Sequence, residues 1–187
     1  MKVFYSDDYV AMAYSVDATK KPQWVADSLR EVPIPGVRLM AAEPVTAEDL
    51  LCIHSPEYVR AVQTGRPRRL AESSTFPWDI GLWTAELASC GGMVAAARCA
   101  VEEGVAGSLS VGFHHARRDR GSGHCIFNGL ALAICAAHDL GLTGILGIDL
   151  DAHCGGGTYS IVGSLPGKHR SRNNCPMSPR HSGERAG

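Results

Sequence analysis

Alternating β-rich and helical stretches, one continuous apolar run and two clusters of polar residues predict a three-layer α/β/α fold on a mainly parallel sheet. The alternation runs through residues 1–162. The apolar run, Gly144-Ile145-Leu146-Gly147-Ile148-Asp149-Leu150, has the pattern of a parallel strand covered on both faces. The polar clusters follow the two most apolar strands, which is where proteins of this class build their sites.

Each element has its own local reason. Residues 2–6 are a short β-rich run. A helix is predicted over 22–32, with Pro22 at its start and Trp24, Val25, Ser28 and Leu29 at helical spacing. Residues 37–40 read as a strand. Thr46 caps a short helix with Glu48 and Asp49 in its first turn, and Ser55 caps another with Pro56 at its first position. Residues 65–80 read as loop. A long Ala-rich helix follows over 82–103, in which Gly91-Gly92 predict close packing against a neighbour. A buried strand over 108–111 leads into Gly112-Phe113-His114-His115. A glycine-rich loop spans 120–125, a helix runs from Asn128 to about Leu140, and the apolar strand ends in Asp149-Leu150-Asp151-Ala152-His153.

Composition narrows the class. With 187 residues, 45% hydrophobic and 20% charged, the chain suits one globular domain rather than a disordered or fibrous one. A net charge of −1 excludes a generally basic nucleic-acid binder. No uninterrupted apolar run approaches the roughly 20 residues that span a bilayer. The opening Met1-Lys2-Val3-Phe4-Tyr5-Ser6-Asp7-Asp8 lacks a signal-peptide core, so a cytoplasmic protein without a membrane partner is expected. The seven Cys include no CxxC pair; they read as reduced, buried thiols and exclude a structural zinc finger. Nothing in the sequence sets an oligomeric state.

The chain changes character near its end. Residues 164–187 carry five basic groups and one acid, few apolar residues and no period, against a net −5 for the rest. Two units are therefore expected: a folded domain over 1–162 and a basic, disordered tail over 163–187.

The chemistry gathers at two strand ends. Along an extended strand, Asp149, Asp151 and His153 point to one side, so an Asp and a His can grip one ion while the other Asp faces the same cavity. Carboxylate oxygen with imidazole nitrogen suits zinc or ferrous iron. Adjacent His114 and His115 can flank a metal-activated water, one as general base and one as charge stabiliser. A nearby Asp would fix the tautomer of either ring. Gly155-Gly156-Gly157 lacks the Lys-Ser/Thr of a phosphate loop and reads as ordinary loop. Arg117, Arg118 and Arg120 read as a solvated loop face, and Trp24, Trp78 and Trp83 as packing residues.

In His54-Ser55-Pro56-Glu57-Tyr58-Val59, Gly112-Phe113-His114-His115-Ala116, Gly123-His124-Cys125-Ile126-Phe127-Asn128 and Asp149-Leu150-Asp151-Ala152-His153, the chain resembles the histone deacetylase and acetylpolyamine amidohydrolase superfamily. The resemblance implies an arginase/deacetylase-like fold. It also implies hydrolysis of N-acetyl-lysine, an acetylated small amine or a related acylamide by a metal-activated water. On it, Asp151 and His153 are two of three zinc ligands, His115 the general base, His114 its charge-stabilising neighbour, and Asp149 the acid paired with His114. Asp149 also borders a monovalent-cation site. Gly123 matches the position whose carbonyl holds the substrate amide, and His124 replaces an aromatic residue of the substrate tunnel wall.

The same resemblance puts the third zinc ligand, an Asp, and an oxyanion-binding Tyr in a carboxyl-terminal part that these 187 residues lack. Gly156 stands where many members carry an Asp or Asn partner for the second histidine. A catalytically inactive fragment or binding module is therefore the alternative expectation. A two-manganese ureohydrolase shares the fold, but it needs an Asp two residues after the His, where Gly155 stands.

Overall fold

The computed structural model describes residues 1–14 and 16–165. Its sheet is parallel, with strand order β2-β1-β3, where β1 is Lys2–Phe4, β2 Arg38–Met40 and β3 Ala106–Ser108. Alternation along the strands divides their side chains between two helices. Phe4, Met40 and Ala106 pack with Ala96 and Cys99 of α5 (Ile80–Glu103), and Tyr5 and Leu39 gather with Ala26 of α1 (Asp17–Glu31).

Local sequence explains most helix ends. Thr46 accepts from Asp49 N–H to open α2 (Ala47–Leu50), Ser55 from Tyr58 N–H to open α3 (Pro56–Thr64), and Asp79 from Leu82 N–H to open α5. Asn128 likewise caps α6 (Gly129–Asp139) by accepting from Ala131 N–H at 2.9 Å. Gly65, at φ 72°, closes α3 in the left-handed region. The stretch expected as loop over 65–80 holds one helical turn, α4 (Arg68–Ala71), and α7 (Gly156–Val162) follows the polar cluster.

Two expectations are corrected. Helix α1 starts five residues before Pro22, because Thr19 Oγ accepts from Val16 N–H at 3.1 Å and caps the earlier turn. Its inward face is Pro22, Ala26 and Leu29, so Trp24 is half-exposed rather than a packing residue. The second correction concerns residues 144–150, which make no sheet ladder and are exposed throughout. Their pattern is that of a buried strand, but a strand needs a neighbour to pair with, and the described residues place none beside them.

Helix α5 is the axis of the fold. By length and composition it is apolar enough to cross a membrane, yet here it is a core helix, packed by β1, β3 and α6. The glycines predict this correctly: a Cβ on Gly91 would fall against Glu43 O, and one on Gly92 against the Tyr9 hydroxyl. The main core lies between α3, α5, α6, α7 and residues 126–127, centred on Tyr58, Leu82, Phe127, Leu132 and Ile161. Trp78 and Trp83 are partly buried against it. From residue 166 onward, the expected tail lies outside the described residues.

Candidate active site

The loop that carries the two histidines is fastened by backbone carbonyls. His54 Nδ1–H donates to Arg117 O at 2.9 Å, and Asn128 Nδ2 donates to Ala116 O at 3.0 Å. Asn128 N–H in turn donates to His54 Nε2 at 3.0 Å. These two bonds require the neutral Nδ1–H tautomer of His54, and burial pushes its pKa down to about 4. On the other side, Thr158 N–H of α7 donates to His114 O at 3.0 Å. Gly157 lets α7 come this close, since a Cβ there would lie 2.5 Å from His115 C and 2.6 Å from His114 O. The glycine run read as ordinary loop is thus the seat of the histidine loop.

Beyond β3, the chain turns through Gly112 at φ 71° and Phe113 at φ 57° and presents His114 and His115 side by side, ring centroids 4.1 Å apart. His114 Nδ1–H donates to Asp149 Oδ2 at 2.7 Å, and its Nε2 stands 3.9 Å from Asp151 Oδ1. The His115 ring faces His153 at 6.2 Å between centroids. Burial first, then the His114 and His153 rings, hold His115 below the usual imidazole range, which favours the neutral form that a base needs. At Gly156, the space a Cβ would enter borders Arg117 Nη2 at 3.7 Å.

Residues 149–153 reach this arrangement without the expected strand. Asp149 Oδ1 accepts from Asp151 N–H at 3.0 Å, and Asp151 Oδ1 from His153 N–H at 2.8 Å, so each carboxylate folds the backbone two residues ahead. Those backbone bonds are the leading cause that holds both carboxyls below the usual range, ahead of the His114 ring at Asp149 and the His153 ring at Asp151. His153 Nδ1–H donates to Asp151 Oδ1 at 2.8 Å, so this nitrogen and oxygen would face one ion together only once that proton leaves. That pair fits two positions of a zinc or ferrous site. Among the described residues, no cluster of three or more His, Cys, Asp or Glu side chains is placed to hold a metal.

Gly123 and His124 line the approach. Gly123 sits at φ 53° with its Cα side against the His115 ring, where a Cβ would meet Cδ2 at 2.6 Å. Its carbonyl accepts from the Cys125 thiol at 3.5 Å. His124, at φ 64°, donates its N–H to Ser74 O at 3.0 Å and sets its ring edge-on to Phe76, 5.0 Å between centroids. All seven candidate residues therefore lie about one exposed patch. Sequence reasoning assigned no role to His54, Phe76 or Glu86. Glu86 is wholly buried, and its Oε2 accepts from Phe127 N–H at 3.1 Å, beside the loop that ends in Asn128. A lone acid in the mostly apolar first half of α5 was the available signal for Glu86.

The histidine pair, its Asp partner and the Asp-x-His pair converge within a parallel α/β scaffold, and comparison with known proteins agrees with that combination. Residues 16–169 match the histone deacetylase domain, and the chain belongs to that family. An uncharacterised protein of Picosynechococcus is 39% identical over 116 residues, covering 61% of this chain and 39% of that protein. Histone deacetylase 2 of Arabidopsis thaliana is 33% identical over 131 residues, covering 65% of this chain and 34% of the plant protein. The solved HD domain of HDA15 superposes with a TM-score of 0.73 at 24% identity, over 86% of this chain and 49% of that one, and shows the fold. The chain thus spans about two-fifths or less of the length of these curated relatives.

Proposed function

We propose that the patch is the amino-terminal share of a zinc-dependent deacetylase site that hydrolyses N-acetyl-lysine or an acetylated small amine. The observation that carries this reading is the convergence of His114, paired to Asp149, with His115 and the Asp151–His153 pair. Asp151 and His153 would hold the metal, which when bound supplies Lewis-acid polarisation of the amide carbonyl and acidifies water.

The chain's own residues do the rest. His115, neutral and facing the Asp151–His153 pair, takes a proton from the attacking water as its oxygen adds to the carbonyl carbon. The C–N bond then breaks, and the same proton goes to the departing amine, giving acetic acid and a free amine. His114, its Nδ1–H given to Asp149, would stabilise the developing charge through Nε2 when that nitrogen also carries a proton. The Gly123 carbonyl, which here accepts from the Cys125 thiol, would accept instead from the substrate amide N–H. A monovalent cation near Asp149 belongs to the same proposal.

A second reading, a non-catalytic binding module, is favoured by the lack of a third metal-binding side chain among the described residues. Loss of one oxyanion donor alone typically costs about 10²–10³ in rate. Zinc content and turnover of a fluorogenic acetyl-lysine substrate separate the two, with His115→Ala as control. Stoichiometric zinc, with turnover lost in H115A and zinc retained, supports the deacetylase. Neither zinc nor turnover overturns it in favour of the binding module.

A further inference from the structure

Cys52 lies in the turn that follows α2, and Cys135 lies on α6. Both are half-buried free thiols packed against the main core. The two segments are already joined close by, because Asn128 N–H, at the start of α6, donates to His54 Nε2 at 3.0 Å. The thiols also meet each other: Cys52 S–H donates to the Cys135 sulfur. That bond holds the Cys135 thiol below the usual cysteine range, although burial and the Asp139 carboxylate act the other way. The other core thiols differ, since burial pushes Cys90 well above that range and Cys125 up to about 11. Neither Cys52 nor Cys135 belongs to the patch around His115 and His153.

Two half-buried thiols in hydrogen-bonded contact, on segments far apart in sequence, have the arrangement of a redox pair rather than of packing residues. We propose that Cys52 and Cys135 form a peroxide-sensitive dithiol whose disulfide staples the turn carrying His54 to helix α6. A thiolate is the form that attacks peroxide, which makes Cys135 the first to react. Its sulfur bonds one peroxide oxygen as the O–O bond breaks, leaving a sulfenic acid on Cys135 and one water. Cys52 sulfur then attacks Cys135 sulfur; the S–S bond forms, the S–O bond breaks, and the hydroxyl leaves as a second water with the Cys52 proton. Two thiols are oxidised to one disulfide, and one hydrogen peroxide is reduced to two waters. A thiol reductant reverses the step by exchange. The staple would constrain the unfolded chain between the two cysteines and so strengthen the His54–Asn128 bond that fastens the histidine loop. This inference stands whether or not the site hydrolyses an amide.

The test is to treat the purified 187-residue chain with one equivalent of hydrogen peroxide and map its thiols by alkylation and mass spectrometry. The expected product is a Cys52–Cys135 cross-linked peptide pair that dithiothreitol separates. The oxidised chain should melt about 5–10 °C above the reduced one, and amide exchange at Asn128 should slow by about tenfold or more. In Cys52→Ser, dimedone should trap a sulfenic acid at Cys135, whereas Cys135→Ser should leave Cys52 unmodified. The proposal is overturned if both thiols still alkylate fully after peroxide, if the exposed Cys154 consumes the oxidant first, or if the cross-link forms without raising the melting temperature. Should a serine variant fail to fold, the wild-type map and its reversible melting shift decide between the same outcomes.

Discussion

His54 and Asn128 meet in the core through one hydrogen bond, Asn128 N–H to His54 Nε2 at 3.0 Å, 74 residues apart in sequence. The other ring nitrogen holds Arg117 O at 2.9 Å, and the Asn128 side chain holds Ala116 O at 3.0 Å. Two buried residues thus clamp both ends of residues 116–128, immediately after the candidate catalytic histidines.

The clamp makes stability pH-dependent. The His54 pKa falls from 6.5 to about 4 on folding, so between those values the unfolded chain binds more protons than the folded one. The stabilisation is complete above pH 6.5 and is lost as pH falls toward 4, by about 3 kcal/mol in all. Urea midpoints at pH 7.5, 5.5 and 4.5 measure this slope. His54→Phe should be less stable at pH 7.5, because Arg117 O and Asn128 N–H lose their partner, and should lack this part of the acid slope.

Glu86 acts in the opposite direction. Burial pushes its carboxyl up to about 8, and among the described residues Oε1 has no partner while Oε2 accepts from Phe127 N–H. The folded state therefore keeps a proton that the unfolded chain releases above 4.5, and stability declines as pH rises from there toward 8. Glu86→Gln retains an acceptor for Phe127 N–H and removes the titration. Its stability relative to wild type should climb by roughly 1.4 kcal/mol per pH unit across pH 5–8. Equal pH profiles for the two proteins would sink the idea.

How much of this was legible in the sequence depends on the range of the interaction. Thr46, Ser55 and Asn128 cap helices by bonds to residues three positions ahead, and all three starts are readable locally. The start of α1 was misplaced because Thr19 competes with Pro22 as the organising residue. The pairing of His114 with Asp149 spans 35 residues and was legible only through the family resemblance, since no strand carries Asp149 to it; turn bonds from Asp149 and Asp151 to the backbone two residues ahead shape that segment. His54, Glu86 and Gly157 could not be assigned that way, because their roles come from what folds against them. Residues 144–150 show the converse: a strand pattern legible in sequence that forms no ladder, since pairing also requires a neighbour.

Gly157 tests the seating of the histidine loop. A methyl group there would press on the backbone of His114, His115 and Ala116 together, so Gly157→Ala must push α7 and the loop apart. The expected destabilisation is about 1–3 kcal/mol, as for overpacking elsewhere. Urea unfolding gives the magnitude. Faster amide exchange at Thr158, which now bonds His114 O, gives the location. A loss of stability without faster exchange there would place the damage elsewhere.

The dyad between His114 and Asp149 makes a prediction that needs no substrate. His114 Nδ1 faces the Asp149 carboxylate at 2.7 Å, which holds the proton on Nδ1. His54 is held in the same tautomer by Arg117 O. Long-range ¹H–¹⁵N correlation of the imidazoles should therefore show a proton on Nδ1 of both rings. Asp149→Ala removes the acceptor for His114 and the turn bond to Asp151 N–H, but it leaves the buried clamp untouched. The His114 ring should shift toward mixed tautomers while the His54 signals stay in place. If both rings change together, the variant has loosened the whole loop, and Asp149 is then a structural support for 112–118 rather than an orienting group for one imidazole.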